Sequence, residues 1–248
     1  MTTRHDGLTV DWLGYATLRV ESDDTVLYMD PGRYGTLDGT WEPDTPGVGH
    51  PPGQDYRGED ADIVCITHIH HYDDDGVERV SNEDTTVLAY EGIDVTDSSR
   101  DLRPVEELPY EIVEVGMEDE LVVEDVPIWT VPAYNDPDGK NVRDDGTPIH
   151  PEGIGCGFVA AVDDTNVFWT GDSDVLPGHE ELDVSLFVPS IAQSYTMDRH
   201  DAADLAEALD PDLTLPIHYN TFDALEADSD AFAADVAGRG VPVVLDEL

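Results

Sequence analysis

Lysine is almost missing from this chain. Lys140 stands alone, and Lys and Arg together number 11 against 57 Asp and Glu in 248 residues, a formal net charge of −46. That deficit removes the basic stripe with which a protein displaces counterions along phosphates, so no nucleic-acid partner is expected. Cysteine is equally scarce. Cys65 and Cys156 lie far apart inside apolar segments, which excludes a disulfide framework and a cysteine zinc site. No apolar run approaches the roughly 18–20 residues needed to span a bilayer. The opening MTTRHDGLTV has no apolar core of a signal peptide. The expectation is therefore a cytoplasmic protein without a membrane partner.

What is present is enough to fold. Hydrophobic residues make up 40 % of the chain and recur in short runs along its length, and charged residues make up 27 %, close to the roughly 25 % of ordinary soluble proteins. Acid has replaced base without turning the chain into a polyelectrolyte. A charge this far beyond the roughly 2–8 units of a small domain is tolerated most easily where salt screens the repulsion. The Asp-rich, lysine-poor usage resembles proteins of salt-accumulating halophiles, and the acid reports on solvent more than on partners.

Short runs rich in β-branched residues, bounded by Gly, Asp or Pro, predict strands at 8–13, 17–20, 25–30, 62–67, 85–89, 111–115 and 126–132. The second half repeats the theme at 157–162, 167–170, 184–188, 213–217 and 241–245. Helical spacing of Ala202, Leu205, Ala206 and Leu209, closed by Asp210-Pro211, predicts a helix over 198–209, and 223–237 reads as a second. Many strands in both halves with helices late in each suggest two sheets packed face to face and covered by helices. No linker divides two self-sufficient patterns, so one domain over 1–248 is expected. Two long turn-rich stretches, 31–60 and 136–155, are lid candidates.

The segment from Ile63 to Gly76 carries the most chemical information: an apolar run that ends in Thr67, His68, His70, His71, Tyr72, Asp73, Asp74 and Asp75. In an extended chain His68 and His70 point to one side and present two ring nitrogens to a metal, with a carboxylate three residues later to complete a coordinating turn. The alternative is a solvated strand end in an acid-rich chain.

The segment resembles the metallo-β-lactamase superfamily, whose motif is Thr-His-x-His-x-Asp-His-x-x-Gly. Thr67, His68, His70 and Gly76 match in place, whereas Tyr72 stands where the family has Asp and Asp73 where it has His. A shifted register, in which His71-Tyr72-Asp73 matches a His-Tyr-Asp variant, needs a one-residue insertion after the first histidine. The resemblance continues in family order through nearly the whole chain. Trp12-Leu13-Gly14-Tyr15 has Tyr15 where a His is usual, and Asp30-Pro31 ends a strand where the acid typically orients the metal loop. Pro132-Ala133-Tyr134-Asn135, His150-Pro151, Gly171-Asp172-Ser173-Asp174 and Pro216-Ile217-His218-Tyr219 follow.

The resemblance implies a four-layer αββα sandwich and a metal-dependent hydrolase of the lactonase-like branch. It implies His68 and His70 as ligands of a first metal, Asp172 as a shared carboxylate and His218 as a ligand of a second. Asn135 stands where a third imidazole is usual, and His150 is the preferred substitute. Asp73 is expected as an oxygen ligand or proton shuttle, and Asp73 and Asp172 as the catalytic carboxylates. Asp172 could instead cap a turn, and His218 could be a satisfied core histidine. Two divalent ions are expected, from zinc, manganese and iron, activating water against a small ester, lactone or phosphoester. Arg33, Lys140 and Arg143, with Asn135, are candidates for binding an anionic small-molecule substrate; surface pairing with acids is the alternative for these bases. Further readings are a one-metal iron oxidoreductase or thioesterase on the same fold, and a non-catalytic metal-binding protein. A homo-oligomer is compatible with the sequence.

Overall fold

The computed structural model describes residues 2–42 and 56–247. Residues 43–55 lie outside the described residues, and with them the centre of the first lid candidate.

The first sheet runs in sequence order through β1 (Thr3–His5), β2 (Leu8–Gly14), β3 (Thr17–Glu21), β4 (Val26–Met29), β5 (Ala61–Ile66), β6 (Ser81–Tyr90) and β7 (Glu111–Val115). Its strands are antiparallel up to β4 and parallel from β4 to β7. The helix α1 (Asp74–Val80) links β5 to β6. The second sheet follows the same plan with β8 (Glu120–Val123), β9 (Val126–Pro132), β10 (Cys156–Val162), β11 (Thr165–Trp169), β12 (Leu186–Val188) and β13 (Leu213–Thr214). It is antiparallel up to β11 and parallel beyond. The helix α2 (Arg199–Leu209) links β12 to β13, and α3 (Ser229–Gly238) follows.

Side-chain alternation along β5 shows how the layers stack. Ile63 and Cys65 enter the main core with Phe158 and Trp169 of the second sheet. Val64 and Ile66, on the opposite face, join Tyr72 and the α1 residues Val77 and Val80 in a second cluster. Fully burying an aliphatic or aromatic side chain of this size contributes roughly 1.5–3 kcal/mol, so both faces of β5 hold it in place. Ala202, Leu205 and Ala206 of α2 and Phe232 of α3 pack into the main core. The result is the expected sandwich of two sheets with helices outside. No helix among the described residues is long and apolar enough to cross a membrane.

Departures from the expected elements have local causes. The Asp198 side chain accepts the N–H groups of His200 and Asp201 and starts α2 one residue later than predicted. The predicted second helix divides into a short turn over Asp223–Leu225 and α3, because Asp228 caps a new start by accepting the N–H of Ala231. The expected strand at 241–245 is reduced to a bridge between Thr214 and Val243. The short elements β1, β8 and α1 were not anticipated; α1, at seven residues, is too brief for a helical period to show.

Candidate metal centre

β5 stops at Ile66, and the chain then turns where an extended end was expected. The N–H groups of His71 and Tyr72 both donate to the His68 carbonyl at 3.1 Å. This turn brings three imidazoles, not two, to one side: the ring centroids of His68 and His70 lie 5.1 Å apart and those of His68 and His71 4.3 Å apart. Across the sheets, Gly155 bridges to His68. A Cβ on Gly155 would stand 2.7 Å from the Thr67 carbonyl oxygen, so only glycine permits this approach.

Asp172 follows β11 by way of Gly171, whose φ of 59° sets the turn. Four imidazoles surround its buried carboxylate. Oδ2 faces His68 Nε2 and His150 Nε2, each at 3.6 Å. Oδ1 faces His71 Nε2 at 3.4 Å and His218 Nε2 at 3.2 Å. A fifth ring, His70, places Nδ1 3.0 Å from His150 Nε2, while His71 Nε2 and His218 Nε2 lie 2.9 Å apart. The cluster therefore has two lobes, one on each oxygen of Asp172: His68, His70 and His150 on one side, His71 and His218 on the other. Ligand atoms of His68, His70 and His150 lie within 4.8 Å of one another, as do those of His68, His71 and Asp172.

Burial lowers His68 well below its ordinary pKa, with the neighbouring His71 adding to the effect, and lowers His70 to about 4. Burial also lowers His150. These rings are neutral at pH 7 and offer lone pairs. Burial by itself would raise Asp172, but His71 and His218 hold it well below the usual carboxylate range. Among the described residues, His68 Nε2 and Asp172 Oδ1 are buried without a hydrogen-bond partner. Neutral ring nitrogens crowded against an ionised carboxylate, with orphaned acceptors between them, are the donor set of a divalent cation.

The surrounding groups aim these rings. Asp30 Oδ2 bonds His71 Nδ1 at 2.8 Å and accepts from the Thr67 hydroxyl and Trp169 Nε1, also at 2.8 Å. That pairing turns His71 Nε2 toward Asp172. His150 Nδ1 meets the Tyr195 carbonyl at 3.0 Å. The backbones of Tyr15, Asp30 and His218 sit at φ of 49°, 48° and 57°, left-handed conformations that L side chains adopt at a cost and that cluster where a site over-determines them.

His68, His70, His150, Asp172 and His218 are thus gathered as expected. Asp73 is not: burial raises its pKa, its Oδ2 accepts the Arg33 N–H, and its carbonyl accepts the N–H of Val77 at the start of α1. His71 occupies the second lobe instead. The signal for it was the third histidine of the segment, in the shifted register. Tyr72 leaves the cluster altogether and buries its ring in the outer core, its hydroxyl donating to the Arg103 carbonyl at 2.6 Å.

Of the expected substrate-binding residues, only Arg33 lines the adjoining cavity of about 340 Å3. Asn135 is buried; its Oδ1 accepts the His150 N–H at 2.8 Å and its amide donates to the Tyr195 carbonyl at 2.9 Å. Lys140 pairs with Asp198 and Asp201. Arg143 donates to the carbonyls of Pro148 and Ile149. These contacts, with the Asn135 N–H on the His150 carbonyl at 2.8 Å, make residues 136–155 a brace for His150 where a lid was expected. Arg100 was not anticipated either: it donates to the carbonyls of Ile69 and Tyr72 at 2.8 and 2.7 Å and clamps the histidine turn from outside.

The profile of the beta-lactamase superfamily domain matches residues 9–218, which takes in every residue of the cluster. The chain belongs to that superfamily. Among similar proteins, a UPF0173 metal-dependent hydrolase of Methanopyrus kandleri is 26% identical over 242 residues, covering 95% of this chain and 94% of the relative. One of Pyrococcus furiosus is 27% identical over 252 residues, with 95% of each chain covered. The solved structure of Igni18, a metallo hydrolase from Ignicoccus hospitalis, superposes with a TM-score of 0.69 at 20% identity, covering 97% of this chain and 95% of the other. That likeness concerns the fold.

Proposed function

We propose that the chain is a metal-dependent hydrolase with a two-ion centre, acting on a small-molecule ester, lactone or phosphoester. The observation that carries the reading is Asp172, an ionised buried carboxylate with imidazoles crowded against both of its oxygens. His68, His70 and His150 would hold one ion, His71 and His218 the other, and Asp172 would be shared. Relatives named as metal-dependent hydrolases along nearly their whole length support the same reading. Donors on two opposite oxygens favour two ions over the single-iron alternative, and nitrogen and oxygen donors without thiolate suit zinc, manganese or iron.

Bound ions would supply Lewis acidity and ionise water near neutral pH, lowering its pKa from 15.7 to about 7. The chain's own residues set the stage for that chemistry. Asp172, ionised by its neighbours, is a hydrogen-bond acceptor that can orient a water. Asp30 keeps a proton on His71 Nδ1 so that Nε2 faces inward. Tyr34, Phe222 and Leu225 give the cavity an apolar lining beside the cluster.

The test is metal analysis of protein purified without chelator, combined with a panel of aryl esters, lactones and phosphodiesters. About two transition-metal equivalents and a hydrolytic activity abolished by His68→Ala are expected. A protein that binds no transition metal, or whose activity survives His68→Ala, would falsify the proposal.

A further inference from the structure

The lining of the cavity beside the cluster is of two kinds. Tyr34, Ile149, Phe222 and Leu225 are apolar or aromatic. Arg33 is the sole Arg or Lys among the described residues lining it. Arg33 Nη1 donates to the Tyr15 hydroxyl at 3.1 Å and to the His70 carbonyl. Its guanidinium lies over the Tyr34 ring, 4.4 Å from the centroid, and 5.6 Å from that of Tyr15. Two aromatic faces and a backbone carbonyl thus fix the fork, yet Nε is buried without a hydrogen-bond partner among the described residues.

The chain carries 57 Asp and Glu, and Arg19, Arg79, Arg103, Lys140 and Arg239 are each paired with carboxylates. Arg33, like Arg100 and Arg143, has no such partner among the described residues, and of these three it alone lines the cavity. A guanidinium held by ring faces, a hydroxyl and one carbonyl, with no carboxylate beside it and donors to spare, recognises a planar or tetrahedral oxyanion.

Resting on the metallohydrolase reading above, we infer that Arg33 is a specificity-determining residue, and that the substrate is a small amphiphile: an oxyanionic group, carboxylate or phosphate, close to the scissile bond and an apolar body lying against Phe222 and Leu225. A volume of about 340 Å3 sits at the lower end of small-molecule sites, roughly 300–1,000 Å3. Tyr34, half in solvent, covers both parts by stacking edge-on to Tyr15 at 4.9 Å and to Phe222 at 4.3 Å.

The experiment titrates the as-purified protein with 4-phenylbutyrate, phenyl phosphate and the neutral 4-phenylbutanol, followed by calorimetry, and in parallel measures KM for ester pairs that differ only in carboxylate against carboxamide. The wild type is expected to bind at least one of the two anions at least tenfold more tightly than the alcohol, and whichever anion binds better names the group. In Arg33→Met the preference falls to within threefold; in Arg33→Lys part of it remains. Phe222→Asp weakens 4-phenylbutyrate more than acetate. Metal content and circular dichroism of each variant separate a lost contact from a lost fold. Equal affinity for anions and alcohol in the wild type, or a preference that persists in well-folded Arg33→Met, overturns the inference while leaving hydrolysis untouched. Arg33-dependent anion binding in a protein that cleaves none of the esters does the reverse: the anion site stands and the hydrolase reading fails.

Discussion

Asp30 and His71 meet at 2.8 Å at one end of a parallel strand pair: Asp30 directly follows β4, His71 follows β5, and the carboxylate accepts four bonds, from the Thr67 N–H and hydroxyl, Trp169 Nε1 and His71 Nδ1. The acid is 1 % exposed, so these donors take the place of water around it. Asp30→Asn keeps the shape but replaces an acceptor with an amide N–H that competes for His71 Nδ1. Metal affinity in the His71–His218 lobe is expected to fall about 10–100-fold, read by competition with a chromophoric chelator, while the other lobe keeps its ion. Simultaneous loss of both ions, or no loss, would contradict the two-lobe description.

Asn135 is tied to His150 in the same way on the other side of Asp172. Its carbonyl oxygen holds the His150 N–H and its amide donates to Asp174 and the Tyr195 carbonyl. Asn135→Ala strands the buried His150 N–H at about 1–3 kcal/mol and takes one of two bonds from each of the Tyr195 carbonyl and Asp174 Oδ1. A lower melting temperature is expected, with weakened binding in the lobe of His68, His70 and His150. If Asn135 were a substrate contact instead, KM would rise with metal affinity and stability unchanged.

Tyr72 was the chief departure from the family motif, and its position in the outer core makes a sharp prediction. Restoring the family residue with Tyr72→Asp should add no ligand. It removes a buried aromatic ring and strands the Arg103 carbonyl, at a cost of about 3–5 kcal/mol, seen as a lower urea midpoint. A stable variant with tighter metal binding would show that the turn at His68 is drawn wrongly.

These residues show where the sequence was legible. Strand positions followed from short β-branched runs bounded by Gly, Asp or Pro, as in β5, and Asp198 and Pro211 bracketed α2 within one residue. Five of the clustered residues, His68, His70, His150, Asp172 and His218, were readable because the resemblance places particular side chains in a recognisable chain order. His71 stayed outside the expected ligand set because spacing in an extended chain does not reveal a turn in which two N–H groups share one carbonyl. The loop bases were harder still. Arg33, Lys140 and Arg143 look alike in sequence, and what separates them is long-range: Lys140 meets Asp198 and Asp201, 58 residues away in one case, while Arg33 meets rings.

Proton uptake by the cluster fixes a pH dependence for the metal-free protein. Burial lowers His70 to about 4 and lowers His68 and His150 as well, whereas an unfolded histidine titrates near 6.5. Between these values the unfolded chain binds more protons, so stability is complete above about pH 6.5 and declines as pH falls toward 4. Urea midpoints of chelator-treated protein at pH 7.5 and 5 should show the fall, and His70→Gln should reduce it. Carboxylates held low by pairing, such as Glu21 beside Arg19, lose their contribution only at lower pH, so the two windows separate.

The net charge of −46 makes a last prediction about solvent. Most acids are on the surface, and Arg19, wedged between Glu21 and Asp60 at 2.8 and 2.7 Å, is among the few bases that offset them. Self-repulsion of this size destabilises the compact state and is screened as the Debye length falls from about 10 Å at 0.1 M salt to about 3 Å at 1 M. The melting temperature should therefore climb steeply between 0.1 and 2 M potassium chloride at neutral pH. The same titration near pH 4, where many surface carboxylates are protonated, should be markedly flatter. A melting temperature that responds to salt equally at both pH values would assign the effect to salting-out of apolar surface and not to charge.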